Sequence, residues 1–120
     1  CGHHGCIETW LSGPALAREG GRSTAQDVVE RARAGDAHAL TVMEAYVDRL
    51  ARALASVVNI LDPDVVVLAG GMSNVDELYS QVPLRWTRHV FGGEVGTRLL
   101  RARHGDSSGV RGAAWLWPTG

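Results

Sequence analysis

The stretch Leu61-Asp62-Pro63-Asp64-Val65-Val66-Val67-Leu68-Ala69-Gly70-Gly71-Met72-Ser73-Asn74 decides the fold. Asp-Pro-Asp stops whatever precedes it, because the residue before a proline is pushed out of the helical region. Val65 to Ala69 is an uninterrupted run rich in β-branched residues, the pattern of a strand buried on both faces. Two glycines follow directly, and Asn74 with Glu77 three residues on predicts a helix start running to about His89. A buried strand, a Gly-Gly turn and a helix N-terminus let backbone approach a nucleotide closely and point free N–H groups at it. Glycines at strand ends also serve simply to turn the chain, and both readings stand on these residues alone.

Working outward, Leu40, Met43, Val47, Leu50, Leu54, Val57 and Leu61 recur at three- and four-residue steps and predict one long helix from Asp36 to Leu61. Upstream, Ile7–Leu11 predicts a short helix that breaks at Ser12-Gly13 and resumes at Pro14, a residue suited to a first turn, until Gly20-Gly21. Ser23 with Gln26 resembles a capping box. The helix it opens carries Val28, Val29 and Ala32 on one face and ends at Gly35. Downstream, Thr97 to Arg103 predicts a second strand. Asp106-Ser107-Ser108 can cap a last helix, with Gly109, Gly112 and Ala113 on one face and its end at Trp117-Pro118. Helices, strand, helix, strand and helix in that order make an α/β arrangement with parallel crossovers, and two strands are a thin sheet.

The 120 residues bound the function. Net charge is −1, which argues against nucleic acid or an anionic membrane as the main partner. All 12 basic residues are arginine, so lysine Schiff bases and Walker A loops are outside this chain's own chemistry. No apolar run reaches the roughly 18 residues of a membrane span. Two cysteines are too few for a disulfide framework, and a reducing cytoplasm is the expected location.

The chain opens Cys1-Gly2-His3-His4-Gly5-Cys6-Ile7-Glu8, with Ser12-Gly13 following. Two thiols around a glycine-rich turn can face one metal, but a tetrahedral zinc site needs four ligands. Two buried or free thiols is the plain alternative. Glu8 reads by itself as a first-turn glutamate favoured by the helix dipole.

The whole string resembles the signature of the ROK family (repressors, open reading frames and sugar kinases), Cys-x-Cys-Gly-x-x-Gly-Cys-x-Glu-x-x-x-Ser-Gly. Cys1 and Cys6 match its second and third cysteines. The resemblance implies a structural Zn²⁺ site of which Cys1 and Cys6 are half, the other ligands lying upstream. His3 and His4 fall on variable positions and receive no ligand role. Glu8 matches the glutamate that accepts hydrogen bonds from sugar hydroxyls, a task suited to an acceptor-only carboxylate. Gly70, Gly71, Met72 and Asn74 match the glycine-rich adenosine segment, with Ala69 where relatives often carry a third glycine. Gly71–Val75, Val90–Glu94 and His104–Trp115 are worded most like the bacterial fructokinase branch.

The implied fold is α/β: residues 1–120 as an incomplete C-terminal lobe of an actin-like ATPase (ribonuclease H-like) fold, helix-rich with few strands. The implied function of the parent protein is ATP- and Mg²⁺-dependent phosphorylation of a hexose, fructose first. The catalytic base lies upstream, no Asp here is nominated for it, and the 120 residues alone are expected to be inactive. A homodimer is the expected assembly. Two alternatives are a sugar-responsive repressor of the same family and a small self-sufficient zinc module.

Overall fold

The structure, a computed structural model, describes residues 2–105. Five helices and two strands follow in order: α1 (Glu8–Leu11), α2 (Gly13–Glu19), α3 (Ala25–Arg33), α4 (Ala37–Leu61), β1 (Val65–Leu68), α5 (Glu77–Trp86) and β2 (Arg98–Arg101). A 3₁₀ turn, Gly71–Asn74, joins β1 to α5. Cys1 and the expected closing helix beyond Asp106 lie outside the described residues.

The long helix forms as the periodicity predicts. The Asp36 carboxylate accepts the Ala39 N–H at 2.8 Å and caps α4. At the other end Asp62 takes a left-handed conformation, φ 43°, which aspartate tolerates better than most residues and which Pro63 favours by disallowing further helix.

The buried face of α4 is not the predicted stripe, however. It comprises Ala39, Val42, Met43, Tyr46, Val47, Leu50, Ala51, Ala55 and Val58, while Leu40, Val57 and Leu61 are exposed. α4 packs on α3 and α5, and the buried positions follow those neighbours and not the stripe.

Three boundaries also differ from expectation. Thr24, not Ser23, caps α3 by accepting the Asp27 N–H at 3.2 Å, and Gln26 reaches forward to Glu30. Asn74 ends the 3₁₀ turn instead of capping α5, because Val75 is extended; α5 then begins at Glu77 and stops at Trp86. The second strand is shorter than Thr97–Arg103 and runs from Arg98 to Arg101, with the Thr97 hydroxyl donating to the Pro63 carbonyl oxygen at 2.7 Å just before it.

β1 and β2 pair in parallel, Val65 opposite Arg98 and Leu68 opposite Arg101. β1 is not buried on both faces, since Val67 is 55% exposed, and among the described residues β2 is its one strand neighbour. Among the described residues Trp86, Tyr46, Leu16 and Leu78 are the largest fully buried side chains, in a core where α4 packs on both α3 and α5. Among the described residues no helix is long and apolar enough to cross a membrane.

Candidate nucleotide cleft

Parallel strands present their C-terminal ends on one side, and in open α/β sheets ligands bind outside those ends. Here β1 runs out into Gly70-Gly71 and β2 into residues 102–105. Gly70 sits at φ 81°, ψ −177°, a region open essentially to glycine. Its carbonyl oxygen accepts both the Ser73 hydroxyl, at 2.6 Å, and the Ser73 N–H, at 3.0 Å. Ser73 is fully buried, and its own carbonyl oxygen accepts the Tyr79 hydroxyl at 2.7 Å. The turn is thus held from inside by Ser73 and Tyr79. Neither stood out in the sequence, where an isolated serine or tyrosine carries no spacing signal.

Beside this turn is a cleft of about 590 Å³, within the range of small-molecule sites. One wall is Ala69, Gly71, Met72, Asn74 and Val75; the other is Leu11, Ser12, Gly13 and Pro14 from the α1–α2 junction with Ala25, Gln26 and Val29 of α3. Among the described residues, every lining side chain is uncharged. Ser12, Gln26 and Asn74 supply hydroxyl and amide groups over a mostly apolar surface, which suits a neutral flat ring system with a few polar edges. The two walls nearly touch at one point, where the Met72 sulfur lies 3.7 Å from the place a Cβ would take on Gly13.

The structure brings together three of the four expected nucleotide residues, Gly71, Met72 and Asn74. Gly70 stands just outside the lining and shapes it through its carbonyl. Glu8 is exposed at the first position of α1, one turn before Leu11 and Ser12, so α1 leads from the proposed sugar residue to the cleft. Ser12 both ends α1 and caps α2, its hydroxyl accepting the Ala15 N–H at 3.3 Å. The break between the two helices falls at Ser12-Gly13, as the sequence predicts; that Ser12 also caps α2 is new.

Of the two expected zinc ligands, Cys1 lies outside the described residues. Cys6 is a free, half-buried thiol, and no cluster of three or more His, Cys, Asp or Glu residues suited to a metal occurs among them. What the turn does supply is a helix start: the Cys6 carbonyl oxygen accepts both the N–H and the hydroxyl of Thr9.

The sequence matches the ROK family model over residues 1–120. This chain belongs to the ROK family. It is 37% identical over 97% of its length to an N-acetyl-D-glucosamine kinase of Aliivibrio salmonicida, and 40% identical over 97% to one from Escherichia coli O1:K1 / APEC. It spans 40% of the length of each of these relatives. A ROK family glucokinase from Streptomyces griseus, solved in complex with glucose and AMPPNP, superposes with a TM-score of 0.86 at 26% identity, over 100% of this chain and 46% of that one. The ROK hexokinase from Thermus thermophilus gives 0.78 at 32% identity, over 95% and 41%. The fold is accordingly the expected one, a helix-rich, two-stranded α/β part of the actin-like ATPase fold.

Proposed function

We propose that this ROK chain supplies the nucleotide seat and one sugar-contacting carboxylate of a hexose kinase. The observation that carries the reading is the cleft beyond the C-terminal end of β1, walled by Gly71, Met72 and Asn74 and uncharged among the described residues. The sugar-kinase names of the relatives reported above support it, as does the S. griseus glucokinase complex with a sugar and an ATP analogue.

In this reading the adenosine lies between the 3₁₀ turn and the Ser12–Pro14 wall. Gly71 lets it approach the backbone, and Asn74 and Gln26 offer amide partners. Glu8 accepts hydrogen bonds from sugar hydroxyls and orients the ring. The acceptor oxygen forms a bond to the γ-phosphorus of ATP as the bond to the β–γ bridging oxygen breaks, and the hydroxyl proton leaves to a base, giving ADP and a sugar phosphate. That base, and the ligands of the Mg²⁺ that neutralises phosphate charge, are placed outside these 120 residues. Residues 1–120 are placed in the C-terminal lobe, and the protein in the cytoplasm.

Fructose is the acceptor favoured by the wording of Gly71–Val75 and Val90–Glu94, whereas the relatives' names favour N-acetylglucosamine and glucose. Cys1 and Cys6 are proposed to give two thiolates to a structural zinc completed by further ligands. Exposed apolar groups, including Ile7 at 61%, Ile60 at 80% and Phe91 at 94%, together with the open edge of β1, support self-association as a dimer. A monomer by sedimentation at high concentration would contradict it.

The test is ATP-dependent phosphorylation of fructose, mannose, glucose and N-acetylglucosamine by the product of the whole reading frame that encodes this chain. Turnover on any one supports the kinase, and the preferred sugar names the branch. A folded product inactive on all four refutes the reading.

A further inference from the structure

The two walls of the cleft belong to elements that barely pack on one another. α3, which carries Ala25, Gln26 and Val29 on one wall, packs on α2 and α4; α5, which continues from the 3₁₀ turn of the other wall, packs on α4 and β2. Among the described residues one ion pair spans directly between α3 and α5. Arg33, the last residue of α3, donates from Nε to Glu77 Oε1 at 2.5 Å and from Nη2 to Glu77 Oε2 at 2.8 Å, and Glu77 is the first residue of α5. Both residues line a groove on the far side of Val29, and Val29 lines groove and cleft alike. The pair therefore lies behind the cleft, outside its lining, and links the end of one wall to the element that continues the other.

Two-point pairing of a planar guanidinium with a carboxylate fixes orientation as well as distance, which a single-point contact does not. The carboxylate of Glu77 is held below its usual range, first by the hydrogen bond from Arg33, and Arg33 is shifted upward by the same contact. The pair is nearly half exposed, 48% and 38% for the two side chains, so its value to overall stability is small. Its placement gives it leverage on one dimension only, the separation of α3 from the turn.

We propose that Arg33 and Glu77 are a positioning pair that sets the width of the cleft, and through it nucleotide affinity, without touching nucleotide or sugar. This rests on the cleft being the nucleotide seat. The experiment is a double-mutant cycle, Arg33→Ala, Glu77→Ala and the two together, in the product of the whole reading frame. AMPPNP affinity is read by calorimetry and the KM for hexose by turnover. Each single change is expected to weaken AMPPNP by about two- to five-fold, the range an exposed but well-oriented pair supports, with the hexose KM unchanged. The double change should weaken it no further than either single.

Unchanged AMPPNP affinity in both single variants overturns the proposal, as do additive losses or a hexose KM that moves in step. Failure of the unsubstituted protein to bind AMPPNP refutes the nucleotide reading itself, a separate outcome from unchanged variants of a protein that binds it.

Discussion

The Tyr46 hydroxyl, buried in the middle of α4, donates to the Leu11 carbonyl oxygen at 2.8 Å and so fastens the α1–α2 junction to the core. That junction is a wall of the cleft. Removing the hydroxyl in Tyr46→Phe leaves the ring packing intact and is expected to cost about 1 kcal/mol of stability, measured by urea unfolding.

Burial pushes the Tyr46 phenol up to about 12 from 10.0. The folded protein holds this proton where the unfolded chain has released it. The contribution is therefore complete below pH 10 and is lost as pH rises from 10 toward 12, a fall of about 2–3 kcal/mol. Tyr46→Phe should remove this component of the alkaline decline; an identical decline in the variant would show that other groups cause it.

Gly70 and Gly71 are adjacent yet should fail differently. Gly70 needs its positive φ, so Gly70→Ala is expected to destabilise the fold by about 1–3 kcal/mol. Gly71 has an ordinary backbone and open space where a Cβ would stand. Gly71→Ala should melt like the unsubstituted protein and bind AMPPNP about tenfold or more weakly, by analogy with a tenfold loss per 1.4 kcal/mol. Thermal melts and calorimetry on both variants separate the two roles.

Thr24 presents α3 to the cleft. Its hydroxyl accepts the Asp27 N–H, and Thr24→Ala is expected to cost about 1 kcal/mol. Thr24→Ser should retain most of it. Equal losses in both, by chemical denaturation, would contradict the capping role.

Glu8→Gln keeps the size of the side chain and removes its charge. Losing charge-assisted bonds to sugar hydroxyls is expected to raise the hexose KM by about 10- to 100-fold, with AMPPNP affinity unchanged. An unaltered KM would return Glu8 to the plain role of a first-turn helix residue.

Much of this was legible beforehand because it depends on local chemistry. Asp36 before an apolar periodic run, Asp62-Pro63 after it, and Val65–Leu68 before two glycines each encode their element within a few residues. What escaped the reading depends on distant partners. The buried stripe of α4 is chosen by where α3 and α5 lie, and Leu40 and Leu61 could not announce that they face outward. Thr24 prevails over Ser23 as the cap through one residue of register. The cleft needed Gly13 and Met72, 59 positions apart in the chain, to be seen side by side. Glycines at a strand end and the Ser12-Gly13 pair each gave one wall, but only the fold shows that they face each other.

The most direct test of the central claim is photolabelling of the product of the whole reading frame with 8-azido-ATP, followed by peptide mapping. Label on peptides carrying Ala69–Val75 and on those carrying Leu11–Pro14 or Ala25–Val29, displaced by unlabelled ATP, is the predicted result. Displaceable label confined to other segments would place the nucleotide elsewhere and contradict the account.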